Sequence, residues 1–141
     1  MAAVARLHRS PAGPTDCSAL RPGWQFEVAV DQLTEDSAEF TVGLIAADAT
    51  VKFNPTESAW GYSAAGQLRG PHQQPERVEA FEAGDTIRVL LDLGVATFYR
   101  NGEQVGRRQV TPGADLFPST THGNRSAPGV TWRRPTCSPF L

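Results

Sequence analysis

The segment from Phe81 to Gly106 constrains the fold of this 141-residue chain more tightly than any other stretch. In its first half, apolar residues occupy alternate positions, which is typical of a strand with one buried face. These residues are Ile87, Val89, Leu91 and Leu93. Gly94 interrupts the run, a second alternating run follows, and Asn101-Gly102 supplies the two positive-φ residues of a type I′ hairpin turn. The segment therefore predicts three antiparallel strands joined by two tight turns.

Shorter alternating runs recur along the rest of the chain. We predict strands at residues 24–31, 38–46, 58–63, 115–121 and 129–133, with an edge strand near residues 2–8. The polar stretch at residues 66–75 is predicted to be a turn-rich loop. No window has the 3.6-residue apolar period of a helix, and many short strands separated by turns indicate an all-β sandwich or barrel. At this length we expect one domain, residues 1–141.

Composition and charge exclude several classes of function. The chain carries 13 Lys+Arg against 15 Asp+Glu, so it lacks the overall basic character that nucleic-acid binding requires. No window approaches the roughly 20 apolar residues of a membrane span, and no apolar signal segment opens the sequence. We therefore expect no nucleic-acid or membrane partner and a cytoplasmic or cytoskeletal location. The basic residues Arg6, His8 and Arg9 also resemble a mitochondrial presequence, which is the alternative location.

The residue types that carry catalysis are scattered in this sequence. His8, His72 and His122 lie in separate segments without metal-ligand spacing, and no glycine-rich phosphate loop occurs. Cys17 and Cys137 lie near opposite ends of the chain and have no CxxC partner. We expect both to be reduced thiols, with a disulfide only in an oxidising compartment. The sequence thus predicts no catalytic residue, no cofactor, no metal site and no enzymatic activity.

Five blocks of sequence occur in an order that carries a family resemblance. They read WQFEVAV, FTVGLIAADA, SAWGYSAAGQLRG, GDTIRVLLDLGVATFYRNGEQVG and LFPSTTHGN. Over about residues 24–132 this series resembles the SPRY domain family. The turn after Asp92-Leu93 is shorter than usual, and the extra N-terminal PRY segment is missing or vestigial. The resemblance implies a concanavalin-like sandwich of two curved antiparallel sheets that recognises proteins through loops at one end, without catalysis.

Candidate partner contacts follow from this resemblance and from residue type. Trp60 and Tyr62 either support the binding loops from the core or contact the partner directly. Arginine, tyrosine and tryptophan are enriched in interface hot spots, and residues of two further regions complete the candidate set. They are Arg69, His72 and Arg77 before Phe81, and Thr121, His122 and Arg125 near the C-terminal end. The alternative for each of these arginines is a solvated surface charge.

The functional hypothesis is an adaptor or accessory subunit of a larger complex. It would bind a peptide or a folded protein, with a cytoskeletal or axonemal assembly as one host. A carbohydrate-binding, lectin-like protein is the alternative, because the implied sandwich is lectin-like. The loops are poor in aromatic residues and in Asp-rich runs, which sugar sites usually need, and this favours the protein-binding hypothesis.

Overall fold

The computed structural model describes residues 4–6, 20–33, 40–46, 59–71, 73–110, 116–121 and 131–139, with the backbone alone at 4–6, 121 and 131–136. Within these ranges the chain forms strands β1 Val4–Arg6, β2 Trp24–Gln32, β3 Thr41–Ala46, β4 Ala59–Ser63, β5 Gln67–Arg69, β6 Glu76–Arg77, β7 Thr86–Asp92, β8 Val95–Arg100, β9 Glu103–Gln109, β10 Leu116–Thr121 and β11 Thr131–Pro139. None of the described residues belongs to a helix long and apolar enough to cross a membrane.

Two antiparallel sheets contain all of these strands. The six-stranded sheet has the order β1-β10-β3-β4-β5-β6, and the five-stranded sheet has the order β11-β2-β7-β8-β9. Apolar side chains from both sheets form one shared core. Its largest fully buried side chains include Phe26, Phe40, Tyr62 and Phe98. The predicted all-β sandwich of two antiparallel sheets is therefore confirmed.

Alternation along each strand decides which side chains enter the core. In β2, the side chains of Phe26, Val28 and Val30 are at most 1% exposed, whereas Glu27 and Asp31 are exposed. Burial of apolar surface stabilises a fold by roughly 25 cal/mol per Å². The alternation therefore holds each strand with one face toward the opposite sheet.

The predicted meander is confirmed as β7, β8 and β9. The turns are Leu93-Gly94 and Asn101-Gly102, and all four residues have positive φ, as type I′ turns require. The prediction for Leu93 is wrong, because this side chain does not extend the buried row that begins at Ile87. It lies in the turn with φ 51° and is 87% exposed. Strand pairing ends at Asp92, so the alternation no longer governs the next side chain.

Two short strands lie in or beside the stretch that was predicted to be a loop. That prediction is wrong for residues 67–69, which form β5, and β6 follows at residues 76–77. A three-residue strand has only one inward side chain, here Leu68. A single apolar residue shows no period, so the sequence pattern did not indicate the strand.

The two ends of the chain add edge strands to different sheets. β1 lies within the predicted edge strand near residues 2–8 and pairs with β10. β11 pairs with β2 and continues past the predicted end at residue 133 to Pro139. The ladder shifts register between Arg133 and Thr136, and Pro135 lies in this interval. Proline lacks an N–H group, so an edge strand with a register shift is where it fits a sheet.

Cys137 on β11 is disulfide-bonded, so the expectation of reduced thiols is wrong. Its backbone lies opposite Phe26 of β2, and its partly buried side chain packs against the core. The other cysteine of the chain, Cys17, lies outside the described residues. A disulfide depends on the distance between two side chains in space, which separation along the sequence does not reveal.

Candidate partner-binding site

A row of polar residues crosses the outer face of the six-stranded sheet. From β10 through β3, β4 and β5 to β6, the row consists of Thr121, Thr41, Ser63, Gln67 and Arg77. Directly paired residues of neighbouring strands share one face of a sheet. The adjacent residues Val42, Tyr62 and Leu68 are buried in the core, so the row lies on the face turned away from it.

A second row on this face has two glycines at its centre, where only backbone is present. It lies two positions along each strand and consists of Ser119, Gly43, Gly61 and Arg69. A Cβ at Gly43 would lie 1.8 Å from the Trp60 carbonyl oxygen, and one at Gly61 would lie 2.3 Å from Thr41 Cγ2. Since the obstacle at Gly43 is backbone, a side chain there would require the two strands to move apart. The result is a flat stripe that ends at Arg69.

The side chains that a partner can reach are concentrated at the edge of this sheet. Ser63 and Ser119 are each 4% exposed, whereas Arg77 is exposed and Gln67 and Arg69 are half-buried. We refer to Gln67, Arg69 and Arg77 as the arginine cluster. It occupies the outer face of the β5–β6 hairpin.

Hydrogen bonding within the arginine cluster orients Arg69. Arg69 Nε donates to Gln67 Oε1 at 2.9 Å, and Arg69 Nη2 donates to the same oxygen. Arg77 lies directly opposite Gln67 on the neighbouring strand. Among the described residues, the arginines that form salt bridges are Arg100 and Arg108 rather than those of the cluster. The cluster thus places two positive charges on one face, where they are free to pair with a partner's anionic groups.

Trp60 and Tyr62 lie beneath this part of the molecule, where they are 3% and 0% exposed. Tyr62 Oη donates a hydrogen bond to the Glu79 carbonyl oxygen, and its ring meets the Phe81 ring edge-on at a centroid distance of 4.9 Å. Burial is the main reason that the pKa of Tyr62 rises to about 12. The Trp60 ring lies against Gly70, where a Cβ would be 2.7 Å from Trp60 Cδ1. Both aromatic side chains therefore lie in the core and support the β5–β6 hairpin from its inner side.

Residues 23–131 match the family model of the SPRY domain. The chain belongs to the SPRY domain family. No curated protein sequence matches it. SPRY domains are generally protein–protein interaction modules without catalytic activity. The family resemblance of the sequence blocks is therefore confirmed.

Solved structures share the fold of this SPRY domain. The crystal structure of the SPRY domain of human HERC1 has a TM-score of 0.65 and 20% identity, and the match covers 86% of this chain and 77% of that one. Another human SPRY domain has a TM-score of 0.62 and 21% identity, covering 86% and 82%. The Caenorhabditis elegans galectin LEC-6 is similar over 96% of this chain and 95% of its own, with a TM-score of 0.58 and 13% identity.

The SPRY fold places three of the contact residues predicted from the sequence on one sheet face, with Arg69 and Arg77 together on β5 and β6 and Thr121 beyond β4 and β3 on β10. Arg69, Arg77 and Thr121 all lie in the two rows of the outer face. His72, His122 and Arg125 lie outside the described residues, so their part in binding stays a prediction. The grouping depends on strand register, because Thr121 reaches the row through the pairing of β10 with β3 and is distant from β5 and β6 in sequence.

A polar network that the sequence analysis did not predict holds one end of the SPRY sandwich. Asp85 accepts hydrogen bonds from Asn101 Nδ2 at 2.8 Å, from the Glu82 backbone N at 2.8 Å and from Arg100 Nε at 2.9 Å. Burial by itself would raise the pKa of Asp85, but these bonds outweigh it and lower the pKa. Arg100 Nη1 also pairs with Glu79 Oε1 at 2.9 Å. Because Arg100 pairs with Glu79, the network also holds in place the backbone carbonyl of Glu79, which accepts the Tyr62 hydrogen bond.

Proposed function

We propose that this SPRY domain is an adaptor or accessory subunit that binds a protein or peptide partner through the arginine cluster and the inter-strand loops beside it. The observation that supports this proposal is the placement of Arg69 and Arg77 on one face, with Gln67 between them. The described side chains of this outer face include no carboxylate, so the charge of the two arginines is not offset there.

The chemistry of the cluster suits a partner with carboxylate or carbonyl oxygens. A guanidinium group presents several N–H donors in a planar fork and pairs with a carboxylate through two parallel hydrogen bonds. Gln67 already holds Arg69 in one orientation, so less conformational entropy is lost when a partner binds. A standard interface takes about 800 Å² from each partner, so binding would extend from the cluster onto the neighbouring loops.

Affinity purification from the source cells tests this proposal. The wild-type domain would be compared with the double variant Arg69→Ala/Arg77→Ala, and partners would be identified by mass spectrometry. Arg21→Ala/Arg88→Ala is the matched control, because it likewise removes one exposed and one half-buried arginine, but these lie beside β2 and on β7. We expect a stoichiometric protein partner that the control retains and the cluster variant loses. Retention of the partner by a correctly folded cluster variant would overturn the assignment of this face.

The host assembly is a separate part of the proposal. The expected hosts are cytoskeletal or axonemal complexes, and the partners recovered in the same purification identify the host directly. Recovery of mitochondrial matrix proteins alone would instead favour the alternative location that the basic N-terminal residues suggest.

Carbohydrate binding is the second candidate function. The observation in favour of carbohydrate binding is the similarity to a galectin over 96% of this chain. At 13% identity this likeness concerns the fold alone. A glycan array with and without calcium separates the two candidates. A specific glycan bound by a domain that recovers no protein partner would replace the adaptor proposal.

A further inference from the structure

β9 is an edge strand of the five-stranded sheet, and a side chain takes the place that another strand would occupy beside it. The side-chain amide of Gln73 donates through Nε2 to the Gln109 carbonyl oxygen at 3.0 Å. It accepts from the Gln109 backbone N at 3.0 Å through Oε1. One amide thus makes both hydrogen bonds that a residue of a neighbouring antiparallel strand would make.

The backbone alternation of β9 shows that these groups face the free edge. The Val110 backbone N donates to the Gly94 carbonyl oxygen at 2.9 Å. This bond points into the sheet, toward the neighbouring strand β8. Successive residues of a strand direct their backbone groups to opposite sides, so those of Gln109 point outward, where Gln73 meets them. The Arg107 carbonyl oxygen accepts from Arg108 Nε at 3.1 Å. Side chains therefore hold backbone groups along this edge.

An open groove of about 580 Å³ lies beside this edge. It is lined by Gln73, Gln74, Val95, Arg107, Arg108 and Gln109. The guanidinium of Arg108 is already committed to the Gln74 carbonyl oxygen at 2.7 Å and to Glu76 Oε1 at 2.8 Å. Arg107 is exposed, and the groove lining contains no carboxylate that could pair with it.

We propose that this groove binds an extended acidic segment of a partner protein, which adds to β9 as a further strand. The partner backbone would take over the two hydrogen bonds at Gln109 from the Gln73 amide. A carboxylate of the partner would pair with Arg107, and the side chain two residues along, on the same face of the added strand, would cover Val95. This mode of recognition is strand addition, in which main-chain bonds supply affinity and adjacent pockets supply specificity. The surface is distinct from the arginine cluster, so the inference does not depend on the function proposed above.

Edge protection is the alternative role of Gln73, since exposed strand edges invite unwanted pairing. The two roles differ in what loss of the side chain does. If Gln73 competes with a bound strand, its removal strengthens binding, because the partner no longer has to displace two hydrogen bonds. If Gln73 only protects the edge, its removal creates no affinity for acidic segments in particular.

Peptide display on the full chain tests the proposal with a defined probe. A random heptapeptide library would be selected on the immobilised wild-type protein, and enriched peptides would be measured against variants by fluorescence polarisation. We expect enrichment of Asp and Glu between β-branched residues. Gln73→Ala should tighten binding of these peptides roughly 3–10-fold, as expected when one or two competing hydrogen bonds are lost. Arg107→Glu should weaken binding at least about tenfold, since an attractive charge contact becomes repulsive.

A proline variant tests the strand addition itself. Gln109→Pro removes the outward N–H without removing a ladder bond, and Gln109→Thr is its control because it keeps that N–H. We expect loss of peptide binding with Gln109→Pro alone. Enrichment of no peptide, or of peptides that bind equally to Gln109→Pro and Gln109→Thr, overturns the proposal. If Gln109→Pro fails to fold, the opposite effects expected of Gln73→Ala and Arg107→Glu still decide it. Peptides that lose binding only in Arg69→Ala/Arg77→Ala would overturn the groove assignment and support the arginine cluster.

Discussion

Arg100 Nε donates a hydrogen bond to an Asp85 carboxylate oxygen at 2.9 Å, and this contact joins the end of β8 to the turn that precedes β7. The two side chains are 24% and 10% exposed, so water screens the pair only partly. The same carboxylate also accepts from Asn101 Nδ2. The open end of the β7–β8 hairpin and the Asn101-Gly102 turn are therefore tied to one acidic group.

Replacement of this carboxylate should make the domain less stable and alter its response to acid. We expect Asp85→Asn to lower the free energy of unfolding at pH 7 by about 1–3 kcal/mol, because Arg100 and Asn101 lose a charged acceptor. The folded pKa of Asp85 lies below its unfolded value. Its contribution is therefore fully present above about pH 4 and is lost as the pH falls through the folded pKa. Urea unfolding between pH 7 and pH 2 should show the two proteins converging in acid.

The control for this experiment is Asp92→Asn, since Asp92 is exposed at the end of β7. It should change the unfolding free energy by less than about 0.5 kcal/mol. A difference between wild type and Asp85→Asn that stays constant down to pH 2 would contradict a folded-state role for the charged carboxylate.

The second turn of the meander predicts a strong preference for Asn101. This residue has φ 51°, and its Oδ1 accepts a hydrogen bond from the Thr86 backbone N at 2.9 Å. Asn101→Val should lower the free energy of unfolding by about 1–3 kcal/mol, because a β-branched residue resists positive φ and cannot make this bond. Thermal unfolding measures the effect. An unchanged melting curve would show that the turn tolerates another conformation.

The first turn predicts the opposite result at an equivalent position. Leu93 also has φ 51° but is 87% exposed. Leu93→Asn should raise the free energy of unfolding by about 0.5–1 kcal/mol, since asparagine adopts this backbone conformation more readily and little apolar contact is lost. Chemical denaturation resolves a change of this size. Destabilisation by Leu93→Asn would mean that the leucine side chain makes contacts that its exposure does not indicate.

Identical truncations two residues apart test the register of β7. Leu91 is 5% exposed in the core, whereas Leu93 lies in the turn. Leu91→Ala should therefore cost about 2–5 kcal/mol, and Leu93→Ala should cost less than about 0.5 kcal/mol. Urea unfolding of both variants measures the difference. Equal costs would contradict the observed end of the strand.

The disulfide at Cys137 predicts sensitivity to reduction. The only other cysteine in the sequence is Cys17, so an intrachain bond would close a long loop, and loss of such a bond typically costs about 2–4 kcal/mol. A reducing agent should therefore lower the melting temperature of the wild type but leave Cys137→Ser unchanged. Mass spectrometry without reduction should find the two thiols of the wild type unreactive to alkylation. Full alkylation of the folded protein would contradict the bond.

Local periodicity was sufficient to predict most of the strands, whereas the sandwich itself was implied by the family resemblance. Phe26, Val28 and Val30 alternate with polar residues, and each is buried as the pattern predicts. The pattern failed where an element is too short to repeat, as in β5, and where a strand ends, as at Leu93. In each case the outcome depends on where pairing with the neighbouring strand stops, and this is a property of the folded sheet.

The candidate site could be predicted only in part. The sequence shows the type of each residue, but which residues lie together in space depends on the fold. Arg69 and Arg77 were candidates as loop arginines, but β5 and β6 place them on a sheet face beside Gln67. The role of Gln73 could not be predicted, since its partner Gln109 belongs to the opposite sheet. Polar contacts between distant segments leave no periodic pattern in a single sequence.

The closeness of Gly43 to the Trp60 carbonyl oxygen limits how this domain can diversify. Any side chain at position 43 would push directly on the strand that carries the buried Trp60 ring, so a change on the outer surface would disturb the interior. Substitutions at residues 67, 69 and 77 meet no such obstacle, because these side chains already point outward at the sheet edge. Relatives with new partners should therefore vary at the edge of this sheet while its centre stays the same, and designed libraries would be placed there for the same reason.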